Sequence, residues 1–218
     1  MGTITRGLAN NVTTAGRIAA SGISNSSVTS ITSFAGITGA DGSFTRLSTT
    51  TVGSPTASVT LTGMDSTYKL YLIDYSGVAP VTDSVHLQCK FSSDGGTTFH
   101  AGMGSGLRQY NGESSGSEAI GMNGSAGAVQ GSTFTLITDC GNDSDMGQCG
   151  QIWISNPAST SLTKMFRSTN VGHHDSDLCW TSWIDGYVNT TTAINSIQFL
   201  MASGNIAAGS FRIYGVTV

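Results

Sequence analysis

The sequence predicts an all-β fold: an antiparallel β-sandwich, jelly-roll-like, preceded by an extended N-terminal arm. Three features carry that prediction. Apolar and polar residues alternate at period two in segment after segment. Clusters of Gly, Asn, Asp and Ser separate those segments. No helical period of any length interrupts them.

Composition narrows the function classes. Charged residues make up 10% of the chain, far below the roughly 25% of an average soluble protein. Ser and Thr together number about 60 of 218, beside 29 Gly, well above ordinary usage. Such a surface is polar through hydroxyls and amides rather than ions. The net charge is −4, and the 9 basic residues are scattered singly. No Lys/Arg cluster can neutralise a run of phosphates, so no nucleic-acid partner is expected. No apolar run approaches membrane-spanning length, so no membrane insertion is expected. Residues 1–6 lack the apolar stretch of a secretory signal. The four cysteines, Cys89, Cys140, Cys149 and Cys179, are therefore expected as reduced core thiols, with a Cys140–Cys149 staple as the alternative. No CxxC pair suggests zinc.

Residues 1–46 form the predicted arm. They are rich in small residues, with isolated apolar beats and few charges, and bury little surface alone. Anchoring to a partner is the expected role, with Ile4, Arg6, Leu8, Ile18 and Ile23 as candidate contacts. The sandwich is expected over residues 47–218. Residues 47–52 and 57–61 flank a turn at Gly53, Ser54 and Pro55. Residues 68–75 are strongly apolar. Val85, Leu87, Cys89 and Phe91 point inward against His86, Gln88 and Lys90. Residues 102–131, rich in Gly and Ser, read as a long loop or edge strands. Strands follow at 134–137, 151–154, 162–166 and 183–187. Ile197, Phe199 and Met201, then a Ser203-Gly204-Asn205 turn, then Phe211 and Ile213, predict a hairpin with one buried face. That hairpin sets the end of the chain in the core and leaves function to loops or to the arm.

Several motifs are read for chemistry. Ser92-Ser93-Asp94-Gly95-Gly96-Thr97-Thr98-Phe99 matches the Asp-box pattern of sialidases and other propellers. One copy, with no grouping of arginines, reads as a structural turn in which the Asp carboxylate binds turn amides. Asp139, Asp143 and Asp145, with Asn142, make an oxygen-rich loop. Calcium takes such ligands, but the EF-hand spacing is absent, so an Asx-rich turn is expected and no metal or cofactor is assigned. His173-His174-Asp175 forms a second polar cluster; with Tyr110 it is the candidate glycan-facing surface. The only glutamates are Glu113 and Glu118, and no G-x-S-x-G, P-loop or H-E-x-x-H motif occurs. No catalytic residues are assigned and no enzymatic activity is expected.

Residues 1–11, MGTITRGLANN, resemble the start of tailed-bacteriophage virion proteins, especially those of marine and cyanobacterial phages. Residues 61–69, 78–83, 91–96, 154–157, 189–194 and 203–215 are similar to the same group, in the same order. Residues 102–131 match least. The resemblance implies a virion structural protein, a tail fibre or appendage subunit, assembled in the host cytoplasm and located in the virion. It further implies a homo-oligomer, a trimer in the first instance, joined to other virion proteins through the arm and attached to host surface glycan. A capsid decoration or cement protein is the alternative, and a glycan depolymerase is a third reading.

Overall fold

A computed structural model of the chain describes residues 44–113, 116, 118–122 and 129–217. The arm up to residue 43, with Ile4, Arg6, Leu8, Ile18 and Ile23, lies outside the described residues. The first strand opens at Phe44, three residues earlier than the sequence boundary at 47.

Thirteen strands and no helix make up the described residues: β1 (Phe44–Val52), β2 (Ser58–Thr62), β3 (Leu70–Pro80), β4 (Val85–Ser92), β5 (Gly102–Gly112), β6 (Glu118–Met122), β7 (Val129–Gly131), β8 (Phe134–Cys140), β9 (Gln148–Ser155), β10 (Lys164–His174), β11 (Leu178–Val188), β12 (Ser196–Met201) and β13 (Ile206–Val216). All pairings are antiparallel. One course of the sheet runs β1-β13-β3-β9-β10 and continues through β11 to β5, which carries β6 and β7. A shorter course, β8-β4-β12-β2, joins it through a single bridge, His174 opposite Cys140. At the far side Thr56 bridges Ile206, so the sheet rolls over until it is nearly closed into a barrel.

The two predicted C-terminal strands exist, and each buries the expected face. They do not form a hairpin. β12 pairs with β2 and β4, whereas β13 pairs with β1 and β3. The turn after Met201 therefore carries the chain from one course to the other. Their apolar faces meet across the interior, where Phe199 and Phe211 ring centroids lie 4.9 Å apart. The predicted turn at residues 53–55 likewise separates strands of different courses.

β5 corrects the reading of residues 102–131. It is a full strand matched to β11 over eleven residue pairs; only β6 and β7 are edge strands. Its glycines hid it, because they weaken the alternation of apolar side chains. A Cβ on Gly102 would meet the Tyr187 carbonyl oxygen and the Phe134 ring, and one on Gly186 would meet the Met103 carbonyl oxygen. Glycine is required there by close approach, not by a turn.

The core is aromatic and doubly anchored. Phe199 touches Tyr75 (5.6 Å) and Phe211, and Phe166 touches Phe91 (5.2 Å) and Phe134 (4.8 Å). Each set spans the two courses. A buried polar string runs alongside: the Tyr75 hydroxyl donates to Asn170 Oδ1 (2.7 Å), Asn170 Nδ2 donates to Ser168 Oγ (3.1 Å) and Ser182 Oγ (3.3 Å), and Ser182 Oγ donates to the Leu136 carbonyl. Buried polar groups are tolerated because they are paired. Lys164 is also buried. Its Nζ donates to the carbonyls of Ser159 (2.6 Å), Leu162 (2.7 Å) and Thr190 (3.2 Å), while burial draws its pKa below the ordinary lysine value. All four cysteines are free thiols, so the Cys140–Cys149 staple is not formed. Cys89 and Cys140 sit in the core, and burial pushes the Cys140 thiol up to about 12; Cys149 and Cys179 are exposed, contrary to a wholly core placement.

Phe199→Ala removes the ring that touches both sides of the roll and should cost about 3–5 kcal/mol in urea unfolding. Lys164→Met keeps the stem but strands three carbonyls, and should cost about 2–4 kcal/mol in the same measurement.

Candidate functional site

The β8–β9 loop, the β10–β11 turn and the end of β5 meet at one end of the roll, and there the sequence's separate polar clusters converge. β10 runs to His174, so both histidines stand on the strand rather than in a loop. Strand alternation sends them to opposite faces. Residues 175–177 make the turn, with Asp177 in the left-handed region (φ 55°), and β11 begins at Leu178.

His174 stacks on Trp180, with centroids 4.9 Å apart. Tyr110 stacks on Trp180 at 5.4 Å and 9°. Because β11 lies between β10 and β5, the indole is held between the two rings. The Arg108 guanidinium lies 5.1 Å from the same indole, a cation–π contact. Trp180 and Arg108 were not singled out from the sequence. The signal was available: Trp180, Ser182 and Ile184 alternate inward on β11, and Arg108 shares the face of Tyr110 by spacing.

Asp139 stands between two imidazoles. Its carboxylate oxygens lie 3.7 Å from His86 Nδ1 and 3.7 Å from His174 Nε2. Its backbone is left-handed (φ 51°), which turns its own N–H onto His86 Nδ1 (3.1 Å). Asp and Asn tolerate that conformation better than most side chains. Asp175 Oδ1 lies 2.6 Å from His174 Nδ1, and the Ser176 amide lies 3.1 Å from the same nitrogen. With that nitrogen protonated, His174 donates to Asp175; with it bare, it accepts from Ser176. Burial alone would raise the Asp175 pKa; hydrogen bonds from Ser84 and Ser176 and the charge of His174 more than offset this, and the net shift is downward. His173 faces outward, with Nε2 3.7 Å from Glu113.

The oxygen-rich loop does not assemble a cation centre. Asp139 is engaged with histidines, Asp143 and Asp145 are exposed, and no group of three or more His, Cys, Asp or Glu among the described residues is placed to hold a metal. Asn142 instead ties the loop to β3–β4, donating through Nδ2 to the Val81 carbonyl and through its amide to Asp83.

Beside Tyr110 lies an open cleft of about 400 Å³, lined by Gln109, Tyr110, Asn111, Glu118, Ala119 and Ile120. Along β5 and β6, Gln109, Asn111, Glu118 and Ile120 stand on the outer face, and Tyr110 and Ala119 on the inner one. Of the four predicted glycan-facing residues, Tyr110 lines this cleft, His174 and Asp175 lie behind it through Trp180, and His173 faces the outer side of the sheet.

The Asp-box segment is a structural turn. Asp94 Oδ1 accepts from the Thr98 amide (2.7 Å), the Ser92 hydroxyl (2.9 Å) and the Thr97 amide (3.1 Å), and Ser92 bridges Phe99 across the hairpin. The Thr98 hydroxyl and amide, then the Ser92 hydroxyl, hold the Asp94 carboxyl well below the usual carboxylate range. A depressed carboxylate contributes its stability above its unfolded value of about 3.8 and loses it only as pH falls through the lower folded value. Carbon-13 NMR should therefore find Asp94 still ionised at about pH 3, where ordinary aspartates are largely protonated. Comparison of the chain with protein-family models, with curated proteins and with solved structures finds no match.

Proposed function

We propose that this chain is a non-enzymatic structural subunit of a phage particle, a tail fibre or appendage protein that assembles as a homo-oligomer and contributes to attachment on host surface glycan. The cleft at Tyr110 carries this reading. Sugars present an apolar C–H face and a rim of hydroxyls. A partly exposed Tyr ring meets the first, while the Arg108 guanidinium, on the same face of β5, supplies donors for the second. The ring is pre-positioned, because Trp180, backed by His174, fixes its plane. Little order has to be gained on binding.

The strand order supports a finer reading of the fold. β1-β13-β3-β9 faces β8-β4-β12-β2. Two such four-stranded courses, with the chain crossing between them, are the pattern of a jelly-roll sandwich, an architecture shared by viral capsid and lectin domains. On this reading β5–β7 and the β10–β11 pair are additions that widen one sheet, and the cleft sits on the added strands. An outward-facing sandwich repeated on a particle gains firm attachment from individually weak sites. Residues 1–43 are the proposed link to other virion proteins, and the virion is the proposed location.

A panel of host surface polysaccharides, titrated against the full chain, tests this. Binding by at least one, weakened tenfold or more by Tyr110→Ala with an unchanged circular dichroism spectrum, is expected. No binding across the panel sinks the glycan assignment. Shortening of the polysaccharide chains would make the protein a depolymerase instead.

A further inference from the structure

The two courses of the roll present very different outer faces. On the short course the outward residues are polar: Gln88 bonds Thr135, Gln198 bonds Thr60, and His86 and Lys90 complete the row. On the long course the outward face is apolar. Met122, Leu107 and Trp183 share one cross-strand row, 70, 47 and 37% exposed. Met103, Tyr187 and Met165 share another, with Met165 57% exposed. Phe44, 49% exposed, lies against Trp153 and Tyr214 on the far side. With side chains of roughly 150–250 Å² each, this is on the order of 700 Å² of exposed apolar residue surface. Monomers rarely expose so much on one face, and it approaches the roughly 800 Å² that each partner contributes to a stable interface.

Between the two apolar rows runs a charged one. Asp185 on β11 stands opposite Arg167 on β10, yet neither takes part in an ion pair among the described residues. The face is also uneven in relief. Its β5–β6 half carries the protruding Met103, Leu107 and Met122. Its β9–β3 half carries two hollows, one of about 350 Å³ beside Trp153 and Ser155, the other of about 260 Å³ beside Gln151 and Asp74.

We infer that this face binds a second copy of the same chain about a two-fold axis running along the strands between β10 and β11. Such an axis turns each cross-strand row end for end onto itself. Asp185 of each copy then meets Arg167 of the other. Leu107 meets the Gln151 position and Met122 the Asp74 position, both at the smaller hollow; Met103 meets the Ser155 position at the larger one. Charge and relief are thus self-complementary, as an isologous contact requires. The trimer implied by the resemblance would need a different, head-to-tail contact. The inference rests on the self-association part of the proposed function and not on the glycan part.

Light scattering and sedimentation of the full chain test it. The wild type should run at twice 22.4 kDa. Asp185→Arg and Arg167→Asp should each weaken self-association tenfold or more by setting like charges face to face. The double variant should recover to within about threefold, because the swapped charges pair again across the axis. Trp183→Glu should give a folded monomer. A wild-type mass of one or three chains overturns the inference, whatever else covers the face. So does a dimer whose dissociation constant ignores both single reversals. A dimer that responds as stated but binds no polysaccharide supports the inference while sinking the glycan assignment.

Discussion

Side-chain contact across the interior, more than backbone pairing, keeps this sheet rolled. The long and short courses share one ladder bridge, His174 with Cys140, and approach again at Thr56 and Ile206. Beyond these and a few hydrogen bonds beside them, what joins the two courses is packing. Phe199 of the short course sits against Tyr75 and Phe211 of the long one, and Phe91 and Phe134 close on Phe166. Hydrophobic contact of this kind has no direction of its own. The buried string from Tyr75 through Asn170 and Ser182 to the Leu136 carbonyl supplies direction, because its hydrogen bonds are met in one register only.

That arrangement explains where the candidate site lies. The long course is wider than the short one and runs on past it through β11 and β5. Inward-facing side chains there have less to cover them. Trp180 is sealed by its neighbours, but Tyr110 and Arg108, one strand further out, keep partial access. The same widening creates the large outer face. A chain with so few charges has little else with which to keep such a face in water.

Much of the fold could be read from the residues. Val85 to Phe91 alternates as expected, and so do the buried positions of β12 and β13. Period-two burial is a property of the segment itself, so it survives into the structure. Partnership is not such a property. Nothing in residues 196–214 distinguishes a hairpin from two strands that part company at the turn, since both demand one apolar face and a Gly/Asn corner. β5 was obscured because glycine serves close backbone approach as well as turns. The site was legible only in pieces. Tyr110 and the His173–Asp175 cluster could be noticed, and Asp139 could be noticed separately, but their meeting point at Trp180 depends on β11 standing between β5 and β10. The oxygen-rich loop reads as an Asx-rich turn by its spacing, but nothing in that spacing shows that Asp139 stands between His86 and His174.

The place of β13 bears on how the molecule comes into being. It lies between β1 and β3, and among the described residues β1 has no other partner in the ladder. Strands made early in synthesis therefore wait for one made after all the others. Phe44 pairs with Val216, so β1 is recruited only once β13 has been made. Contacts of such long sequence separation are slow to form, and unpaired strand edges are exposed meanwhile. Closure of this course of the sheet accordingly waits on β13, and the glycine- and hydroxyl-rich, weakly apolar strands at its margins lower the hazard of the wait.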